Sequence, residues 1–278
     1  MKRYYFKQES GYDYLTTYSI KKASADIMVF GSSRAVNIFN TEIFEEKLGV
    51  TCYNAGRYGE PVFYHYAVLK TVLKRGTPKL AILSMDAGNF SNNPEAYDRI
   101  TALLPYYQEH PEIRPVVELK GPYEKLKMLS NIYPYNSLIL PIITGNSEYS
   151  KKKYLHIKGF IPLKRIFDGP LRTFDYSKEK DLDTVKINAY RSFITDCIHA
   201  KVQLFIICSP YMINAIGTDR SIREAKKIAQ EYNIKFLDYS QDSSYTTRPE
   251  LFADYRHLNE DGVKAFNNTI IDQISIEK

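Results

Sequence analysis

Short apolar runs and amphipathic stretches alternate along most of this chain. Ile27-Met28-Val29-Phe30 is an apolar run that stops at Gly31, the signature of a buried strand. Ile38 to Leu48 (IFNTEIFEEKL) has helical spacing and is closed by Gly49. Val50 to Tyr53 reads as a second strand. Pro61 then opens a helical pattern through Val62, Tyr66, Val68, Leu69 and Leu73 to Gly76, with Pro at the start and Gly past the end. Leu80 to Met85 is a third strand. Farther on, Leu182 to Ala200 is a long amphipathic helix, and Val202 to Cys208 is a fourth strand stopped by Ser209-Pro210. Thr218-Asp219 caps a helix running to about Tyr232, and Ile234 to Leu237 is the fifth strand. A last helix runs from about Asn259 through Val263, Phe266, Ile270, Ile271 and Ile274. Short strands alternating with helices predict a mainly parallel sheet covered on both faces, an α/β class.

Two stretches depart from this rhythm. The first 25 residues carry Tyr and Lys without clear periodicity and are expected to pack on the domain as a leader. Residues 91–180 hold nine of the 24 tyrosines and several prolines, and read as a partly helical insertion after the third strand of one domain spanning 1–278. The insertion also gathers the charge. Of the formal +6, residues Lys120 to Lys180 supply twelve Lys/Arg against five Asp/Glu, a net of +7, which leaves −1 elsewhere. A basic face of this kind suits phosphates, acidic glycans or a membrane surface. No nucleic-acid motif accompanies it, so a nucleic-acid partner is not expected.

Composition narrows the class further. With 44% hydrophobic and 25% charged residues among 278, the chain is neither disordered, collagen-like nor a coiled coil. No run approaches the ~18–20 apolar residues that cross a bilayer. The opening Met1-Lys2-Arg3-Tyr4-Tyr5-Phe6-Lys7 lacks the apolar stretch of a signal peptide. Cys52, Cys197 and Cys208 show no metal-ligand spacing. Cys52 and Cys208 read as core residues, and a bridge between them is left open.

Parallel α/β sheets bind ligands at the carboxyl ends of their strands, so the candidate chemistry is sought there. Gly31-Ser32-Ser33-Arg34 follows the first strand, and a serine on such a turn can expose its oxygen as a nucleophile or simply cap a helix. Asn54-Ala55-Gly56-Arg57-Tyr58-Gly59 follows the second strand, with two glycines that let backbone approach closely. Asp86-Ala87-Gly88-Asn89 follows the third and places a side-chain amide on the same edge. Asp254-Tyr255-Arg256-His257-Leu258-Asn259 precedes the last helix, and an Asp three residues before a His can hold the imidazole tautomer that takes a hydroxyl proton.

These four stations, in this order and spacing, resemble the blocks of the SGNH/GDSL hydrolase superfamily. The resemblance covers roughly residues 26–90 and 180–275, with Gly-Ser-Ser-Arg in place of Gly-Asp-Ser, as in relatives that modify cell-envelope polysaccharides. It implies a flavodoxin-like, three-layer α/β/α sandwich with a five-stranded sheet. It also implies Ser33 as nucleophile, His257 as base and Asp254 as its orienting acid, with an oxyanion hole from Ser33, Gly59 and Asn89. The third block departs most from the family's Gly-x-Asn-Asp, and Asp86 or Asn92 are alternatives to Asn89. Arg34 and Arg57, beside these blocks, are candidates for an acidic group on the substrate or are solvated arginines.

The implied reaction is ester hydrolysis that removes an acetyl or other small acyl group from a carbohydrate, with no metal and no organic cofactor. The same triad serves an O-acyltransferase acting on an envelope polysaccharide, and a non-catalytic glycan-binding or assembly protein is the alternative from another class. Such relatives imply an extracytoplasmic or membrane-tethered setting, reached through a segment not visible in this sequence.

Overall fold

The five apolar runs become one parallel sheet in the computed structural model, which describes residues 1–147, 156, 158–178 and 181–274. Its strands are β1 (Ile27–Phe30), β2 (Cys52–Asn54), β3 (Leu80–Ser84), β5 (Gln203–Cys208) and β7 (Lys235–Asp238), in the order β2-β1-β3-β5-β7. Register places Ile27 beside Cys52 and Leu80, Leu80 beside Gln203, and Phe205 beside Lys235.

The two-residue period of the strands then sorts side chains into two cores. Met28, Phe30, Leu83 and Ile206 face α4 (Val62–Arg75), α5 (Thr184–His199) and α6 (Arg220–Glu231). Ile27, Val29, Ile82 and Ile207 face the other layer, α2 (Ser33–Ile38), α3 (Thr41–Leu48) and α7 (Glu260–Ile271). Strands buried on both sides explain why their sequences are continuous apolar runs. This is the five-stranded parallel α/β architecture, covered on both faces, that the strand pattern predicts.

Several boundaries move for identifiable reasons. The helix expected from Ile38 to Leu48 is two helices, because Asn40 accepts a hydrogen bond from the N–H of Glu42 and starts α3 afresh. Asn267 of α7 fixes that break by donating to the Ile38 carbonyl (2.6 Å) and accepting from the Asn40 N–H (2.9 Å). The last helix ends at Ile271 rather than Ile274. The N-terminal leader contains a helix, α1 (Tyr12–Lys21), and its Tyr5 is buried with its hydroxyl 3.1 Å from that of Tyr106.

Residues 148–155, 157 and 179–180 of the expected insertion lie outside the described residues. The rest sends Ile100, Leu103, Tyr106, Ile113 and Val117 into the core shared with α4. It also supplies β4 (Arg172–Asp175), which pairs in parallel with β6 (Ile213–Ile216), a second small sheet that the apolar pattern does not predict because β4 is almost wholly exposed.

All three cysteines are buried free thiols. Cys52 lies on β2 and Cys208 on β5, with β1 and β3 between them. Three strand spacings are about 14 Å, beyond a disulfide's reach, which closes the pairing left open. Among the described residues no helix is long and apolar enough to cross a membrane.

Candidate active site

The sheet order reverses direction between β1 and β3, and the four stations collect at the carboxyl edge beside that point. Gly31 makes the first turn possible. Its φ is +141°, and a Cβ there would lie 2.7 Å from the Cβ and 2.9 Å from the backbone oxygen of Ser84. Ser32 is the N-cap of α2, accepting from the N–H of Arg34, so Ser33 is the first helical residue. The capping role therefore falls on Ser32, one residue before Ser33.

Ser33 Oγ lies 2.8 Å from His257 Nε2. His257 Nδ1 lies 3.0 Å from both carboxylate oxygens of Asp254. Asp254 Oδ1 further accepts from the backbone N–H groups of Arg256 (2.7 Å) and His257 (3.0 Å), which folds the Asp-x-x-His turn onto its own carboxylate. Burial pushes the Asp254 carboxyl up, but the hydrogen bond and charge of His257, with those two N–H donors, outweigh it and hold the group below the usual range. The turn itself is pinned by Ala253 N–H donating to the His257 carbonyl (2.8 Å) and by Asn259, whose Nδ2 donates to Glu250 (2.7 Å) while Oδ1 caps α7 at Gly262.

The two candidate arginines are both held by the protein's own groups. Arg34 is wholly buried. Its guanidinium donates to the carbonyls of Arg256, Ser209 and Pro210, pairs with Asp86 at 3.2 Å, and lies 3.5 Å from the centre of the Tyr211 ring. Arg57 is held by Asp13 (3.0 Å), Glu60 (3.2 Å) and the Tyr12 carbonyl (2.8 Å). A cation placed in a low-dielectric interior must be paired to remain there, and both are.

The third station resolves in favour of position 86 as the residue that meets the serine loop. Ser32 Oγ donates to Oδ2 of the Asp86 carboxylate, while Arg34 pairs with its Oδ1. Asn89, in contrast, turns its amide to the Met85 sulfur at 3.4 Å, and Asn92 is exposed with its N–H on the Asp181 carbonyl. A carboxylate accepts hydrogen bonds, so Asp86 organises the turn and does not replace an oxyanion donor.

In the second station Asn54 spends both amide hydrogens on the carbonyls of Ala35 (2.8 Å) and Phe39 (3.0 Å), and its oxygen takes the Gly56 N–H. Arg57 N–H donates to the Gly31 carbonyl (2.9 Å), which holds this loop against the serine turn. Gly59 has φ +71°, and a Cβ there would meet the Arg99 guanidinium at 2.6 Å. The N–H groups of Ser33 and Gly59 have no acceptor among the described residues.

Sequence reasoning passes over four residues. Burial pushes the Tyr58 phenol up to about 12, the Asn37 side chain opposes this, and the nearby charge of Asp254 adds to it. Tyr211 donates no packing signal of its own, yet its ring covers Arg34 and its hydroxyl takes the Ala87 N–H at 2.8 Å. Tyr255 and Arg256, inside the Asp254–His257 turn, line a cavity of about 470 Å³. The aromatic residue between Asp254 and His257 is the signal that could have found this cavity. Among the described residues no group of three or more His, Cys, Asp or Glu is placed to hold a metal ion.

No protein-family model and no curated protein sequence matches the chain. Solved structures do resemble it. A candidate acylhydrolase of Bacteroides fragilis superposes with TM-score 0.46 at 12% identity, covering 95% of this chain and 97% of that one. An acetyl xylan esterase gives TM-score 0.46 at 12% identity, covering 90% and 100%. A catalytic mutant of the acetylxylan esterase Axe2 of Geobacillus stearothermophilus gives 0.44 at 11% identity, covering 90% and 94%.

Proposed function

We propose that the protein is a serine-dependent ester hydrolase of the SGNH type, removing an acetyl or other small acyl group from a carbohydrate. One observation carries the reading: a serine hydroxyl 2.8 Å from an imidazole nitrogen whose other nitrogen is 3.0 Å from a carboxylate. A purely binding module has no evident use for that relay, since each member constrains the next for proton transfer.

In the proposed reaction Ser33 Oγ attacks the ester carbonyl while His257 Nε2 takes its proton. Asp254 holds the Nδ1–H tautomer and stabilises the imidazolium. The tetrahedral oxyanion is received by the N–H groups of Ser33 and Gly59, each such donor being worth about 2.7–4 kcal/mol in the transition state. The imidazolium returns its proton to the departing sugar hydroxyl, leaving an acyl-serine. Water, deprotonated by His257, then releases the acid and restores Ser33. No step calls on a metal or an organic cofactor. A sugar hydroxyl in place of that water gives the acyltransferase, from the same residues.

Intact mass after incubation with a fluorophosphonate tests the reading. One adduct on the wild-type protein and none on Ser33→Ala is expected. Equal labelling of both, or of neither, would overturn it.

A further inference from the structure

The cavity beside the triad has its own chemistry. Its volume, about 470 Å³, is in the range of small-molecule sites, ~300–1,000 Å³. Its lining joins two of the four stations through the chain. Tyr255 and Arg256 separate Asp254 from His257, and Ala87 and Gly88 follow Asp86. Its outer wall is β4, the exposed strand contributed by the segment after β3.

Aromatic faces form that wall. The Phe174 ring lies 5.9 Å from Tyr255 at 25° and 6.4 Å from Tyr176 at 29°, and the Arg172 guanidinium lies 4.5 Å from the centre of the Tyr255 ring. Phe174 is 36% exposed, a level at which an apolar ring on an isolated two-stranded sheet gains little from folding. Polar groups face it. Asp219 is fully engaged, taking the N–H of Gly88 (2.9 Å) and of Ile222 (2.9 Å). Arg256 lines the same cavity, its guanidinium hydrogen-bonded to Tyr255 and so held beside that ring. Flat apolar faces opposite a planar hydrogen-bond donor match a pyranose ring, which is apolar on its C–H faces and polar around its rim.

We propose that this cavity is the subsite for the sugar ring that bears the ester, seated on Phe174 and Tyr255 with its rim oxygens toward Arg256. The inference rests on the esterase reading, because Tyr255 and Arg256 of the cavity lie between Asp254 and His257 in the chain. It assigns to β4 and β6 the selection of the alcohol portion of the substrate, while the triad acts on the acyl portion.

The experiment uses the full chain as Ser33→Ala, which cannot turn over, applied to an array of O-acetylated oligosaccharides. Retention of at least one glycan is expected, with a loss of about tenfold or more in affinity for it in Ser33→Ala/Phe174→Ala, the size of a typical anchor residue. Ser33→Ala/Phe174→Tyr keeps the aromatic face and is expected to restore retention. Absence of any retained glycan, or retention indifferent to Phe174→Ala, overturns the subsite. Fluorophosphonate labelling of the wild-type protein separates the two readings. Labelling without glycan retention leaves the hydrolase and removes the subsite, whereas retention without labelling removes the hydrolase.

Discussion

Replacing Arg34 by Met would take away one guanidinium and leave every group it serves in place. Those groups are the Asp86 carboxylate, 6% exposed in its side chain, and the carbonyls of Arg256, Ser209 and Pro210. A buried carboxylate stripped of its partner costs about 3–5 kcal/mol. Each carbonyl that water cannot reach adds about 1–3 kcal/mol. Even if water serves most of the carbonyls, the expected loss is about 4 kcal/mol, a large part of the ~5–15 kcal/mol that holds a domain folded. Urea unfolding followed by circular dichroism measures it for Arg34→Met, Asp86→Leu and the double variant. Because the pair is buried together, removing both should cost at least about 2 kcal/mol less than the sum of the single losses. Additive losses, with a coupling below about 0.5 kcal/mol, would refute the claim that Arg34 is retained for Asp86. Arg34→Lys covers the case in which Arg34→Met does not fold. Lysine keeps the charge but cannot present the planar fork that reaches three carbonyls and a carboxylate at once. Arg34 also ties the serine turn to the Arg256 carbonyl, one residue from His257. Fluorophosphonate labelling of folded Arg34→Lys should therefore slow by about 10², the cost of a misplacement near 1 Å.

Asp254→Asn should lower esterase kcat by about 10⁴ while the fold survives, since an amide can hold the wrong imidazole tautomer; a loss under tenfold would remove Asp254 from the relay. The same variant has a pH signature. A carboxyl held below its ordinary value stabilises the fold above about pH 4 and loses that contribution as pH falls through its lower folded value. Thermal melts of the wild type between pH 6 and 3 should fall more steeply than those of Asp254→Asn, and parallel slopes would contradict the assignment. Asn89→Ala should change kcat by less than threefold, because its amide faces the Met85 sulfur. A loss of about 10² or more would instead place Asn89 in the oxyanion hole.

The strands were legible because both faces of the sheet are buried, which turns β1, β3 and β5 into apolar runs. β4 was not legible for the converse reason: Arg172, Thr173 and Phe174 are exposed, so nothing in their order reports the pairing with β6. The Asp254–His257 contact was legible because both residues sit in one short turn whose spacing sets their hydrogen bond. Asn89 shows the limit of such reading. An amide at the right distance along the chain need not face the right way, and here the residue that meets the serine loop is the carboxylate three positions earlier. The arginines show it more sharply. Arg57 is held by Asp13 and Glu60, and Arg34 by an acid fifty-two residues away on the neighbouring strand's end. Sequence gives the residue types of such a network but not its closure, because the partners are brought together only by the register of β1 with β3. That register places Gly31 against Ser84, and only glycine fits there. The serine turn can therefore be recognised locally, while the charge pair that braces it must be read from the assembled sheet.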